Sequence, residues 1–179
     1  MPRPKWTAQQ IEIAVAEYFN VRTKIIVPNV SFGLFKYHEA DLIILYPSDW
    51  CSEVEIKVTA QDIKQDLSKK HDHSEKNIRK LWFAVPEELS SHPDIPEKAG
   101  ILIVSRYVWR GKKRYRVEAK RLPKRDKFAR KFTAEERMKL LRLGCLRIFG
   151  LKQKLDEKQN IIEELKAQLK SGKGATDEL

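Results

Sequence analysis

Residues Cys51 to Val58 alternate with the two-residue period of a β-strand. Val54, Ile56 and Val58 fall on one face, and Glu53, Glu55, Lys57 and Thr59 on the other. Fourteen residues before Glu55, Asp41 stands near the start of a second apolar run of strand length, Glu39 to Tyr46. Two neighbouring strands of this kind bring two carboxylates and an ammonium to one point. An isolated E-x-K triplet is also what a solvated strand face looks like, with charges paired across neighbours. Asp41 argues against that, because an Asp inside a buried run needs a partner or a cation.

The flanking sequence supplies the rest of a layered fold. Thr7 with Gln10 is a capping box, and Ile11, Ala14, Val15 and Tyr18 form the buried stripe of a first helix ending near Asn20. Glu12 and Glu17 flank that stripe on opposite sides. Lys24 to Val30 reads as a strand that Pro28 confines to an edge or a bulge. Pro47-Ser48-Asp49 is a turn. Thr59 caps a second helix with Asp62 in its first turn. Leu81–Val85 and Ile101–Val104 are buried strands joined by a Pro-rich connection, and Trp82 belongs to the core. Tyr107 to Ala119 alternates as a hairpin around Arg110-Gly111-Lys112, with a loop as the other option. Helix, strands, helix, strand, strand predicts an α/β fold with a mixed central sheet flanked by helices.

A second capping box, Thr133 with Glu136, opens a C-terminal helical region. Leu141, Ile148, Leu155, Ile162 and Leu169 recur every seven residues, as in a coiled-coil dimer or a helix that folds back. Gly144 and Gly150 predict a break or bend there. The expected organisation is a core domain over residues 1–122, a basic helical or coiled-coil extension over 123–171, and a disordered tail over 172–179.

Charge is segregated. The net charge is +11, yet residues 105–154 hold 19 Lys/Arg against 4 Asp/Glu, so the remainder is acidic. Such a block releases counterions from a polyanion, which makes nucleic acid the expected partner. Trp109 among Arg106, Arg110, Lys112 and Arg114 suits stacking on an unpaired base, and packing within the hairpin suits it equally. Arg116, Lys120 and Arg121 extend the basic surface. No apolar run approaches a membrane span, and the N-terminus lacks the apolar stretch of a signal peptide. Cys51 and Cys145 stand apart, which excludes a zinc ribbon or disulfide framework and points to a reducing cytoplasm.

Asp41 and Glu55 offer hard oxygen ligands for Mg²⁺, with Mn²⁺ as a substitute, and the Ile56 carbonyl and waters would complete the shell. Lys57 would share the face of Glu55 about 7 Å along the strand, where its ammonium can hold a water or neutralise charge on a phosphorane-like transition state. This set, Asp41 followed by Glu55-x-Lys57, resembles the PD-(D/E)xK nuclease superfamily, with Ala40 in place of the family's proline. The resemblance implies a restriction-endonuclease-like core from about Thr7 to Val104. It also implies a glutamate from the first helix, which Glu17 matches in order and spacing. A closer similarity is to MmcB-like bacterial and phage DNA-repair proteins. It runs from His38-Glu39-Ala40-Asp41 through EVEIK to FAVPEEL (83–89) and IPEKAGILIV (95–104). Superfamily members often keep polar residues facing phosphate at the start of the helix after the motif strand, where Gln61 and Lys64 stand; Lys70 and His71 further on suit backbone contact or the active site, with a solvated loop as the other option.

The resemblance thus implies a Mg²⁺-dependent deoxyribonuclease, a structure-selective endonuclease of repair, recombination or phage DNA processing. The alternative is an inactive DNA-binding scaffold that dimerises through its C-terminal helices. Nothing in the sequence distinguishes DNA from RNA as the polyanion.

Overall fold

The structure, a computed structural model, describes residues 5–31, 34–35, 39–68 and 76–174, with backbone alone for 66–68 and 170–174. Its centre is a six-stranded mixed sheet whose spatial order follows the chain: β1 (Ile25–Val30), β2 (Ala40–Leu45), β3 (Cys51–Ile56), β4 (Lys80–Pro86), β5 (Gly100–Trp109) and β6 (Lys112–Arg121). Pairings β1–β2, β2–β3 and β5–β6 are antiparallel, while β3–β4 and β4–β5 are parallel. The parallel step from β3 to β4 needs a crossover, and α2 (Ala60–Ser68) supplies it. This is an α/β fold.

Each face of the sheet has its own cover. Helix α1 (Ala8–Tyr18) lays Ile11, Ala14 and Val15 on Leu42, Ile44, Val54, Ile56, Trp82 and Ala84. On the other face Ile63 of α2 packs with Leu81, Phe83 and Val85. Because strand side chains alternate, Glu53, Glu55 and Lys57 project to the α2 face, beside Phe83. Gly100 is required by close approach: a Cβ there would lie 2.4 Å from Trp82 Cε3 and 2.8 Å from Pro123 Cδ.

Local signals act as their chemistry dictates. Thr7 and Gln10 exchange both capping-box hydrogen bonds. Asp62 accepts from the Val58 and Thr59 N–H groups while the Thr59 hydroxyl accepts from Asp62 N–H, which fixes the start of α2. Pro28 sits on β1, an edge strand. The β5–β6 turn has Arg110 at φ 49° and Gly111 at φ 73°, the two positive values of a two-residue type I′ turn.

Several expectations need correction. Tyr18, expected in the buried stripe, is exposed, and Phe19 at the helix C-cap is buried in its place. Strand β5 does not stop at Val104 but continues to Trp109, because β6 pairs with it along its whole length. Helix α3 (Ala134–Gly174) passes through Gly144 and Gly150 without interruption and continues beyond Ser171. A glycine lowers helix propensity by only about 1 kcal/mol, too little to break a helix of this length.

The first compact unit ends at Leu141, well beyond 122. Residues 123–141 return to the sheet: Lys124, Asp126, Arg130 and Phe132 donate backbone N–H groups to Lys98, Arg79, Lys76 and Asp49 carbonyls. Phe132 and Leu140 are buried there. The second unit begins at Arg142, and its described part is helical, with Ile148, Leu155, Ile162 and Leu169 exposed. Residues 175–179 lie outside the described part. Among the described residues no helix is long and apolar enough to cross a membrane.

Candidate active site

The charged face of β3 is not solvated. Glu53 is 0%, Glu55 2% and Lys57 5% exposed, so an ordinary surface alternation is ruled out for this strand. Glu53 is therefore not a surface charge.

The β2–β3 ladder runs to the pair Leu42 and Val54. Just beyond it the Ile56 N–H donates to Asp41 Oδ2 at 2.8 Å. Asp41 is thus bound to the backbone of the motif strand itself. On the other side of β3, Lys57 N–H donates to the Ala84 carbonyl at 3.1 Å, which keeps this end of β3 aligned with β4. The Lys57 ammonium donates to Glu55 Oε2 at 2.5 Å and lies 5.9 Å from the centre of the Phe83 ring. Asp41, Glu55, Ile56 and Lys57 therefore meet at one end of the β2–β3 pair, as the sequence predicts.

The electrostatics are those of crowded acids. Burial pushes the Glu55 carboxyl up to about 7, and the Asp41 charge adds to this while Lys57 opposes it. On α1, burial and then the Asp41 charge raise the pKa of Glu12. Glu12 is the α1 carboxylate that interacts electrostatically with Asp41. Glu17 lies instead in the wall of a cleft with Tyr107, Trp109 and Arg114. Both glutamates flank the buried stripe, and a match of spacing selected Glu17. The sequence carries no signal that separates the two; the docking of α1 does.

Among the described residues no group of three or more His, Cys, Asp or Glu side chains is arranged to hold a metal ion. Magnesium does not require one, since it commonly takes one or two protein carboxylates and keeps several waters. Asp41 and Glu55 are close enough for the charge of one to raise the pKa of the other, with Glu53 adding to the effect and Lys57 as the opposing cation. A further cation would relieve that repulsion, so the donor set fits a hard divalent ion at Asp41, Glu55 and the Ile56 carbonyl.

Gln61 and Lys64 are exposed on the first turns of α2, just after the motif strand. Lys70 and His71 lie outside the described residues. The basic candidates of β5 and β6 divide into two groups. Arg106 stacks on Trp6 at 3.8 Å and donates to the Lys5 carbonyl and Gln10 Oε1, anchoring the start of α1. Lys120 donates to Ser90 and Ser91, and Arg121 to the Ala99 and Pro96 carbonyls. These three hold the fold together, a role that charge counting does not reveal. Arg110, Lys112, Arg114 and Arg116 are exposed; Arg116 pairs with Glu118 at 2.6 Å, and Arg110 lies 4.4 Å over the half-exposed Trp109 ring. Tyr107, Trp109, Lys113 and Arg114 line a cleft of about 420 Å³ against Ile13 and Glu17 of α1.

No protein-family model matches the chain, and no curated protein matches it. A solved structure with a similar fold is the SPO1766 protein of unknown function from Silicibacter pomeroyi. It is 17% identical, with a TM-score of 0.60, covering 86% of this chain and 94% of that one. At that identity the likeness establishes a shared fold.

Proposed function

We propose that this chain is a Mg²⁺-dependent deoxyribonuclease of the PD-(D/E)xK type, built on a restriction-endonuclease-like core and related to the MmcB-like repair proteins. One observation carries the reading: Asp41, Glu55 and Lys57 are brought together at the end of the β2–β3 pair, with Glu55 and Lys57 buried. A chain gains no stability from burying Glu53, Glu55 and Lys57 where apolar side chains would pack. The order α1, β1 to β3 antiparallel, α2, then β4 parallel to β3, also supports the core assignment.

In this reading Asp41, Glu55 and the Ile56 carbonyl would hold the metal, which would supply charge neutralisation at the scissile phosphate and a more acidic water. The Ile56 N–H fixes the Asp41 carboxylate in one orientation. Lys57, held by Glu55, stabilises charge that grows on the phosphoryl oxygens as water adds to phosphorus and the P–O bond breaks. Glu12 adds a fourth acid near Asp41. Exposed Arg110, Lys112, Arg114, Gln61 and Lys64 face the DNA backbone. Repair, recombination or phage DNA processing in the cytoplasm is the setting this chemistry fits.

The test is a cleavage panel with linear duplex, single strand, flap, fork, junction and RNA in Mg²⁺ or Mn²⁺. Cleavage of a DNA substrate that Asp41→Asn abolishes, with folding intact, supports the reading. Undiminished cleavage by Asp41→Asn overturns the site.

A second reading has its own support. The exposed seam of Ile148, Leu155, Ile162 and Leu169 on α3 suits a helix-mediated homodimer, and so a DNA-binding scaffold without activity. Sedimentation beside the cleavage panel separates the two: a dimer that binds DNA and cleaves nothing is the scaffold.

A further inference from the structure

At the opposite end of β3 from the carboxylates lies a pocket of about 200 Å³. Its wall holds Arg79, Lys80 and Arg125, with the hydroxyl residues Tyr46, Ser48 and Ser52 and the indole of Trp50. The cations are held there by the fold. Arg79 donates its backbone N–H to the Cys51 carbonyl and accepts from Asp126 N–H, which fixes the residues beside Arg79 and Arg125 to one another. The Arg79 guanidinium lies 3.8 Å from the centre of the Trp50 ring, and the Lys131 ammonium approaches the same ring at 5.9 Å.

Three cations thus line one small cavity, and the nearby acids are engaged elsewhere. Asp49 pairs with Arg137, Glu136 with Arg130, and Asp126 Oδ1 accepts from Phe128 N–H. Among the described residues no carboxylate forms an ion pair with Arg79, Lys80 or Arg125. The crowding is felt by Lys80, whose pKa is lowered by burial first and then by the Arg125 and Arg79 charges. Like charges held this close, around a half-buried space lined with hydroxyl groups, are stabilised by an oxyanion that accepts from several donors at once.

We propose that this pocket binds a phosphate group, with Arg79, Lys80 and Arg125 as its charged donors and the Ser48 and Ser52 hydroxyls completing the shell. The site is separate from the carboxylate cluster and does not depend on the nuclease reading. The phosphate can come from a free anion or from a nucleic-acid strand, and the chemistry of recognition is the same.

The experiment titrates the full chain with inorganic phosphate and pyrophosphate by calorimetry, at low salt and without divalent metal. Amide shifts of Trp50 and Ser52 locate the binding. Saturable binding that moves these amides, and that weakens about tenfold or more in Arg125→Gln and in Lys80→Gln, is expected. Arg125 lies in an exposed irregular segment, so its variant should keep the fold, which circular dichroism checks. Arg22→Gln, at an exposed position outside the lining of this pocket, removes the same charge and should leave the affinity unchanged. Equal weakening in Arg22→Gln, or no loss in Arg125→Gln, or shifts that miss Trp50 and Ser52, overturns the proposal. A short oligonucleotide with and without a 5′-phosphate then identifies the source. Competition by both forms means a backbone phosphate, competition by the phosphorylated form alone a terminal one, and none a free anion.

Discussion

The Lys57 ammonium lies 2.5 Å from Glu55 Oε2, and both side chains are almost wholly buried. Two residues apart on one strand, they point the same way, so the contact follows from the pleat. The consequence is chemical: Lys57 is held in one place, next to the acid that it charges. Lys57→Ala should lower kcat about a hundredfold or more, roughly 3 kcal/mol, while DNA affinity changes little. Single-turnover cleavage beside equilibrium binding checks this, and a loss confined to binding would make Lys57 a phosphate clamp.

Glu55 sets a pH dependence. Its folded pKa is about 7 against 4.5 for an ordinary glutamate, with burial the main cause. A metal ligand must be deprotonated, so Mg²⁺ or Mn²⁺ affinity should fall by up to about tenfold per pH unit below 7 and level off above it. Without metal the linkage runs the other way. The contribution of Glu55 to stability is full below about pH 4.5 and is lost as pH rises through 7. Metal titration by calorimetry from pH 5.5 to 8.5 tests the first statement, and metal-free urea unfolding over the same range the second.

The two α1 glutamates should separate cleanly. Glu12 interacts with Asp41, while Glu17 lines the hairpin cleft. Glu12→Gln should reduce cleavage and alter metal affinity. Glu17→Gln should leave metal affinity unchanged and modestly strengthen DNA binding, by removing a negative charge from a basic cleft. The reverse pattern would restore Glu17 to the site.

The basic surface should behave as two sets. Charge reversal at Arg110, Lys112 and Arg114 should weaken every DNA alike. For six phosphates neutralised, log K should fall with a slope of about −5 against log[salt] on duplex. Trp109→Ala should cost about 1–3 kcal/mol on single strands and less on duplex. Reversal at Arg121, whose guanidinium holds two backbone carbonyls, should instead lower thermal stability. Filter binding at three salt concentrations, with a melting curve for each variant, measures both.

Acid should loosen the 123–141 segment. The Glu136 carboxylate receives two hydrogen bonds from Arg130 and one from Thr133 N–H, and Arg130 is the main cause that draws its pKa down to about 2. A depressed carboxylate stabilises above its unfolded pKa, so this contribution is complete above about 4.5 and is lost as pH falls toward 2. Arg130 is half exposed, and screening by water limits the effect to about 1 kcal/mol. Glu136→Gln should be less stable than the parent by that amount at pH 7 and equal to it near pH 2, by urea unfolding.

Sequence alone settled what depends on neighbours along the chain. Capping at Thr7 and Thr59 and the faces of β3 follow from local hydrogen bonding and the pleat, which act within a few residues. Asp41, Glu55 and Lys57 were legible because two apolar runs of strand length, each carrying a charge, leave few other arrangements. Tertiary structure decided what depends on distant partners. Strand β5 extends to Trp109 because β6 supplies its hydrogen bonds. Phe19 displaces Tyr18 from the core because Trp82 offers it an edge-to-face contact, with ring centroids 5.9 Å apart. Glu12 and Glu17 look alike in sequence, and only the docking of α1 brings Glu12 under the influence of Asp41. The basic residues divide for the same reason: a positive charge is read from the chain, but whether it meets a carbonyl, a ring or solvent is set by what folds beside it.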